Sequence, residues 1–121
     1  MERIAEGEYA VMEVLWEEAP LTAAEVAGRV PAERGWTLAT VKTMLSRLLA
    51  KGVLAHEEEG RRYLYRPAID REDYVAEESG RLIDRMFGGR LTPLVAQLAA
   101  RDRLSPGDIE EIEALLKELR Q

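Results

Sequence analysis

The chain has 121 residues, of which 46% are apolar and 33% are charged, a balance typical of one small folded protein rather than a disordered chain. It contains no cysteine and a single histidine, His56, which excludes disulfides, thiolate nucleophiles and zinc clusters and leaves no catalytic triad to assemble. We therefore expect no metal, no cofactor and no enzymatic activity. No apolar run is long enough to span a bilayer and the opening residues are acidic, so we expect a cytoplasmic chain without membrane insertion.

The first part of the chain predicts three helices, over residues 8–19, 22–30 and 37–51. Pro20 ends the first helix because the residue before a proline avoids the α region. Thr22 and Glu25 have the spacing of a capping box at the start of the second helix. The predicted inward faces of the first and third helices consist of Tyr9, Met12, Leu15, Trp16 and Ala19, and of Leu38, Val41, Leu45, Leu48 and Leu49.

The pattern changes from helical to extended after Gly52. Residues 53–59 and 62–67 flank Gly60 and predict a β-hairpin, the second strand of which is rich in aromatic residues. Three helices followed by a hairpin are the organisation of a winged helix-turn-helix, which we assign to residues 1–67. The wing is then the hairpin tip at 59–63.

The remaining residues predict three further helices, beginning at Asp70, Thr92 and Ser105. A tail of this length cannot bury three apolar faces well by itself, so we expect it to pair with a second copy of the chain. We assign residues 68–121 to a helical dimerisation region. The fold predicted for the whole chain is mainly α with one small β-hairpin. The apolar residues expected in the dimer are Leu94, Val95, Leu98, Ile109, Ile112, Leu115, Leu116 and Leu119.

The net charge of −6 argues against a nucleic-acid binder, but residues 37–67 hold six basic residues against three acidic ones. The predicted outer face of the third helix contains no acid. Small side chains, hydroxyls and isolated bases suit the major groove, where arginine can donate to guanine O6 and N7. The alternative is an ordinary solvated face that lacks acids by chance. The residues of this face are Ala39, Thr40, Thr43, Arg47 and Ala50, flanked by Lys42 and Ser46.

Two adjacent arginines, Arg61 and Arg62, follow Gly60 at the tip of the predicted wing. From there they can reach the DNA backbone or the minor groove beside the helix. The alternative is that they pair across the hairpin with the acidic run at 57–59. His56 and the two tryptophans have simpler interpretations, the histidine as a polar strand residue and Trp16 and Trp36 as core anchors.

Five stretches of the chain, at 8–16, 36–52, 60–65, 87–89 and 104–112, resemble the penicillinase-repressor (BlaI/MecI) family in the same order and without large gaps. The resemblance implies a dimeric transcriptional repressor with an N-terminal winged helix, a C-terminal helical dimerisation part and a pseudo-palindromic DNA operator. Ala39 departs from the family, which often has a polar or basic residue there. The DNA contacts that the resemblance implies are Thr37, Thr40, Lys42, Thr43 and Arg47 on the helix and Arg61 and Arg62 on the wing.

The resemblance also bears on how repression is relieved. In beta-lactam-responsive members, a pathway starting at a membrane sensor leads to proteolysis at an Asn-Phe pair in the penultimate helix. The matching positions here are Gln97 and Leu98, which are therefore the candidate proteolysis position, with a sensor-linked protease as the implied partner. Copper-responsive members of the superfamily carry a cysteine cluster, which this chain lacks.

Two functions from different classes follow from these patterns. The first is a sequence-specific DNA-binding repressor. The second is a winged-helix protein-interaction module whose basic face binds an acidic partner. The acid-free helix face and the family resemblance favour the repressor.

Overall fold

The computed structural model describes residues 3–121 and contains six α-helices and one antiparallel hairpin within that range, which confirms the predicted fold class. The helices and strands are α1 (Glu6–Glu17), α2 (Ala23–Arg29), α3 (Leu38–Ala50), β1 (Leu54–Glu59), β2 (Arg62–Pro67), α4 (Arg71–Phe87), α5 (Leu91–Ala100) and α6 (Pro106–Leu119). The chain divides into two compact units, the first ending at Ala76 and the second covering Glu77–Gln121.

Helix α1 is displaced from the predicted range 8–19, since it begins and ends two residues earlier. It begins there because the Glu8 carboxylate accepts a hydrogen bond from the Ala5 backbone N–H at 2.9 Å. It ends early because Glu18 is already extended, so Ala19 lies outside the helix and is exposed, contrary to the prediction. Val11, which the predicted face omits, is fully buried.

Helices α2 and α3 start at the predicted caps. The Thr22 hydroxyl accepts from the Glu25 N–H at 3.2 Å, and the Glu25 carboxylate accepts from the Thr22 N–H at 2.9 Å, which completes the capping box. Helix α3 ends at Ala50, and Gly52 follows with φ +76°, a left-handed conformation that favours glycine.

The hairpin forms from the two predicted segments, and its register places Glu59 opposite Arg62 with Gly60 at φ +65° in the turn. Tyr65 also exchanges two backbone hydrogen bonds with Leu21, at 2.8 and 3.1 Å. Because Leu21 lies immediately before α2, this bridge fixes the hairpin against the helical part of the first unit.

The core of the first unit lies between α1, α2, α3 and the start of the hairpin. Trp16 and Trp36 are half-buried and pack against this core rather than lying inside it. The indole N–H of Trp16 donates to the Ile69 carbonyl at 3.0 Å, and its ring packs against Tyr74 of α4. The buried apolar residues are Ile4, Val11, Met12, Leu15, Leu21, Val26, Val30, Val41, Leu45, Leu48, Val53, Leu54 and Tyr74.

Because Tyr74 belongs to this core, the boundary between compact units falls after Ala76, within α4, rather than at the start of the helix. The functional division of the chain at 67–68 stays a prediction.

The second unit is helical throughout. Helix α5 starts at Leu91, one residue before the predicted Thr92, with Arg90 as its N-cap. Helix α6 has the predicted capping box, in which Ser105 and Asp108 exchange side-chain-to-backbone hydrogen bonds of 3.0 Å. None of residues 77–121, all of which the structure describes, is fully buried.

Candidate DNA-recognition surface

Helix α3 is anchored by one face and presents the other to solvent. Val41, Leu45 and Leu48 are fully buried and fix the helix in the core of the first unit. The solvent-facing side of α3 contains no acidic residue, as the sequence predicted. Its exposed residues are Leu38, Ala39, Lys42, Thr43, Ser46, Arg47 and Ala50.

The threonines at the start of α3 are held in local hydrogen bonds. The Thr37 hydroxyl accepts from the Thr40 N–H at 3.2 Å, and the Thr37 and Thr40 hydroxyls lie 3.1 Å apart. Thr43 donates its hydroxyl proton to the Ala39 carbonyl at 3.1 Å, which leaves its oxygen able to accept. Thr40 is half-buried, so it is less accessible to a ligand than Thr37 or Thr43.

On the wing, the structure separates the two arginines. Arg62 donates to the Glu59 carboxylate at 3.1 Å, and both side chains are about 60% exposed, as the alternative interpretation of the wing predicted for this residue. Arg61 is exposed and has no ion pair with any of the described residues. A surface pair such as Arg62–Glu59 contributes about 0–1 kcal/mol, so a phosphate can displace the carboxylate at little cost.

A groove of about 350 Å³ joins α3 to the wing and to the start of α2. It is lined by three of the predicted site residues, Lys42, Arg61 and Arg62, which the fold therefore brings together. The remaining lining residues are Thr22, Ala23, Ala24, Leu38, Tyr63 and Tyr65.

Arg47 does not line this groove; it lies in the last turn of α3, where its charge helps to lower the pKa of Glu8. The predicted site residues of α3 therefore extend from its N-cap to its last turn, and of these Lys42 lines the groove together with Arg61 and Arg62.

Leu38 contradicts the prediction that it belongs to the core, since 42% of its surface is exposed. Helical periodicity assigns it to the same side as the buried residues Val41 and Leu45. Leu38 is nevertheless exposed because it is the first residue of α3, where none of the described neighbouring elements buries this side of the helix. Tyr63, at 46% exposed, is a second large side chain in the same groove.

Glu8 supports this surface from below, although its role was not predicted from the sequence. Its carboxylate is buried and binds Lys51 Nζ at 2.5 Å, and Lys51 Nζ also donates to the Arg3 carbonyl at 2.9 Å. The carboxylate therefore ties the start of α1 to the C-cap of α3. The signal was present in the sequence, because Glu8 shares the helical spacing of Val11, Met12 and Leu15.

Opposing effects act on the ionisation of Glu8. Burial raises its pKa. The hydrogen bonds from Lys51 and the Ala5 N–H and the positive charges of Lys51 and Arg47 together lower the pKa by more than burial raises it, so it lies below the ordinary 4.5. The charged carboxylate is the form that holds the end of α3 in place.

Other kinds of site find no support in the described part of the chain. Among residues 3–121, no cluster of three or more His, Cys, Asp or Glu side chains is arranged to hold a metal ion. No helix within the same range is long and apolar enough to cross a bilayer.

Comparison with known proteins identifies the family. The model of the penicillinase-repressor family matches residues 4–118. A penicillinase repressor from Bacillus licheniformis is 34% identical over 116 residues, which cover 96% of this chain and 91% of that protein. The chain belongs to the penicillinase-repressor family. This confirms the resemblance seen in the sequence.

Two solved structures are similar to part of this chain. The DNA-binding domain of the repressor BlaI matches with a TM-score of 0.53 and 38% identity, covering 61% of this chain and 94% of that domain. The monomeric form of B. licheniformis BlaI in complex with the blaP half-operator matches with a TM-score of 0.52 and 38% identity, covering 60% of this chain and 89% of that protein.

Proposed function

We propose that the chain is a transcriptional repressor that binds a pseudo-palindromic DNA operator as a homodimer, with α3 in the major groove and the wing on the DNA backbone. The single observation that carries this proposal is the acid-free outer face of α3, continued by the basic groove that Lys42, Arg61 and Arg62 line. Phosphates repel acids and attract such a surface. Family membership and the similarity to a repressor bound to a half-operator support the same function.

The contacts have different expected roles. Arg47 and Thr43 are exposed on the outer face of α3, where they can approach base edges in the major groove. We expect Lys42, toward the wing, and Arg61 and Arg62 to contact the sugar–phosphate backbone, and Thr37 and Thr40 to contact the DNA at the start of the helix. Backbone contacts fix the register of the protein, and the base contacts then supply sequence preference.

Dimerisation is proposed from the second unit. Helix α6 carries an apolar stripe at helical spacing, including Leu115, Leu116 and Leu119, which are 60%, 52% and 80% exposed. A stripe of large apolar side chains in water is unfavourable, and a second copy of the chain would cover it. In such a dimer, binding of one winged helix to its half-site holds the second winged helix near the other half-site at a high effective concentration. The dimer therefore binds the full operator more tightly than a single winged helix can.

Proteolysis of the tail is proposed as one route to derepression. Gln97 is exposed and Leu98 is half-buried, and both lie inside α5. A protease binds its substrate in an extended conformation, so cleavage at Gln97–Leu98 requires local unfolding of this helix. The cut would separate α6, which carries the apolar stripe, from the DNA-binding part.

Selection of duplexes from a random pool by the purified full chain tests this function. The expected result is enrichment of two inverted copies of one short sequence, with half-site centres about one helical turn or a multiple of it apart. Binding that enriches no sequence, and that poly-glutamate displaces as readily as DNA does, would instead identify a module for acidic protein partners.

A further inference from the structure

We propose that Leu38 is a specificity-determining residue that contacts the C5-methyl group of a thymine in each operator half-site. The inference rests on the proposed function and extends it to a residue for which no DNA contact was expected. Its starting observation is the 42% exposure of a leucine in the basic groove between α3 and the wing.

The position of Leu38 in α3 favours contact with a base. Leu38 is the first residue of the helix, directly after the N-cap Thr37. In helix-turn-helix proteins the N-terminal residues of the recognition helix approach base edges most closely. The neighbouring Ala39 is exposed and small, so it allows this end of the helix to approach the floor of the groove.

The surroundings of Leu38 favour DNA as the molecule that covers it. Lys42, one turn further along α3, lines the same groove, as do Arg61 and Arg62. Three cations around one exposed leucine suit a polyanion that also offers an apolar group. In the major groove, that group is the thymine methyl, the apolar feature that distinguishes base pairs containing thymine from G·C pairs.

A cycle of protein and DNA changes tests the contact. Full-length wild type and Leu38→Ala are titrated against the operator selected by the wild type, and against versions in which uracil replaces thymine one base pair at a time. Uracil lacks only the methyl group. At one symmetric position per half-site, we expect the wild type to lose about four-fold in affinity for each methyl that is no longer buried.

Leu38→Ala should bind the thymine operator more weakly and show no further loss at that position when uracil replaces thymine. Leu38→Met, which keeps a long apolar side chain, should retain the preference for thymine. Val14→Ala, at a half-buried valine of α1 that does not line this groove, is the matched control and should keep the wild-type preference for thymine.

Two outcomes overturn the inference, and they are distinguishable. In the first outcome, the wild type binds its operator specifically, but at every position uracil replacement lowers the affinity of Leu38→Ala by the same factor as that of the wild type. Only the methyl contact is then wrong. If the wild type selects no sequence at all, the proposed function fails and the contact fails with it.

Discussion

Arg47 is the residue from which we expect the largest loss of sequence-specific binding. It is exposed in the last turn of α3, on the side of the helix away from the buried leucines. If its guanidinium donates to a guanine, Arg47→Ala should weaken operator binding by about 1–3 kcal/mol and leave binding to random DNA nearly unchanged. Fluorescence anisotropy at fixed salt measures both. Arg71→Ala, at an exposed arginine on α4, is the control, and equal losses on the two DNAs would make Arg47 a phosphate contact.

The ion pair between Glu8 and Lys51, which holds the end of α3 against α1, can be tested through its pH dependence. Because its folded pKa lies below 4.5, the charged carboxylate stabilises the fold above that pH, and the contribution is lost as the pH falls through the folded value. Glu8→Gln should lower the free energy of unfolding by about 2 kcal/mol at neutral pH, with the difference shrinking below pH 4.5. Urea titrations across pH measure it.

Glu33→Gln removes the same charge from an exposed position and should have little effect at any pH. A difference between wild type and Glu8→Gln that does not depend on pH would contradict the assigned ionisation.

Leu38 and Glu8 show why the burial of a single residue is not predictable from helical spacing alone. Helical spacing gives the direction in which a side chain points, but it does not say whether another element covers it at that level. Helical spacing assigns Leu38 to the core side, but the side chain is exposed because Leu38 is the first residue of its helix. Glu8 lies on a buried face and is stable there because Lys51, 43 residues away, supplies the opposite charge.

At the scale of the elements, the wing should contribute affinity without sequence preference. The Arg61→Ala, Arg62→Ala double variant should weaken binding to all duplexes and reduce the slope of log K against log salt by up to about two units. Because Arg62 is paired with Glu59, Glu59→Gln should strengthen binding to all sequences. The same salt series measures both effects, and an unchanged slope in the double variant would remove the wing from the interface.

The elements themselves were predictable where local signals specify them. The caps at Thr22, Thr37 and Ser105 and the turn at Gly60 form with neighbours three residues away or fewer, and all four were located from the sequence. Helix α1 was displaced because its N-terminus depends on Glu8 rather than on a cap that the spacing of apolar residues reveals. The bridge between Leu21 and Tyr65 joins distant parts of the chain and has no local signature.

For the whole molecule, the tail should determine the oligomeric state and, through it, operator affinity. Leu116→Glu places a charge in the apolar stripe of α6 and should convert the dimer to a monomer in sedimentation velocity. Affinity for the full operator should fall by about 10²-fold or more, while affinity for a single half-site stays unchanged. Ala114→Glu, on the opposite side of α6, is the matched control. A dimer that persists in Leu116→Glu would contradict the assigned role of the stripe.

The proposed function requires that α3 reads the operator from the major groove in both halves of a dimer site. The most direct measurement replaces each guanine of the selected operator with 7-deazaguanine, which lacks only the N7 acceptor on the major-groove edge. We predict that one guanine per half-site, at symmetric positions, becomes sensitive to this change for the wild type and insensitive for Arg47→Ala. Binding that tolerates 7-deazaguanine at every position would contradict recognition of a guanine by Arg47 and the proposed position of α3 in the major groove.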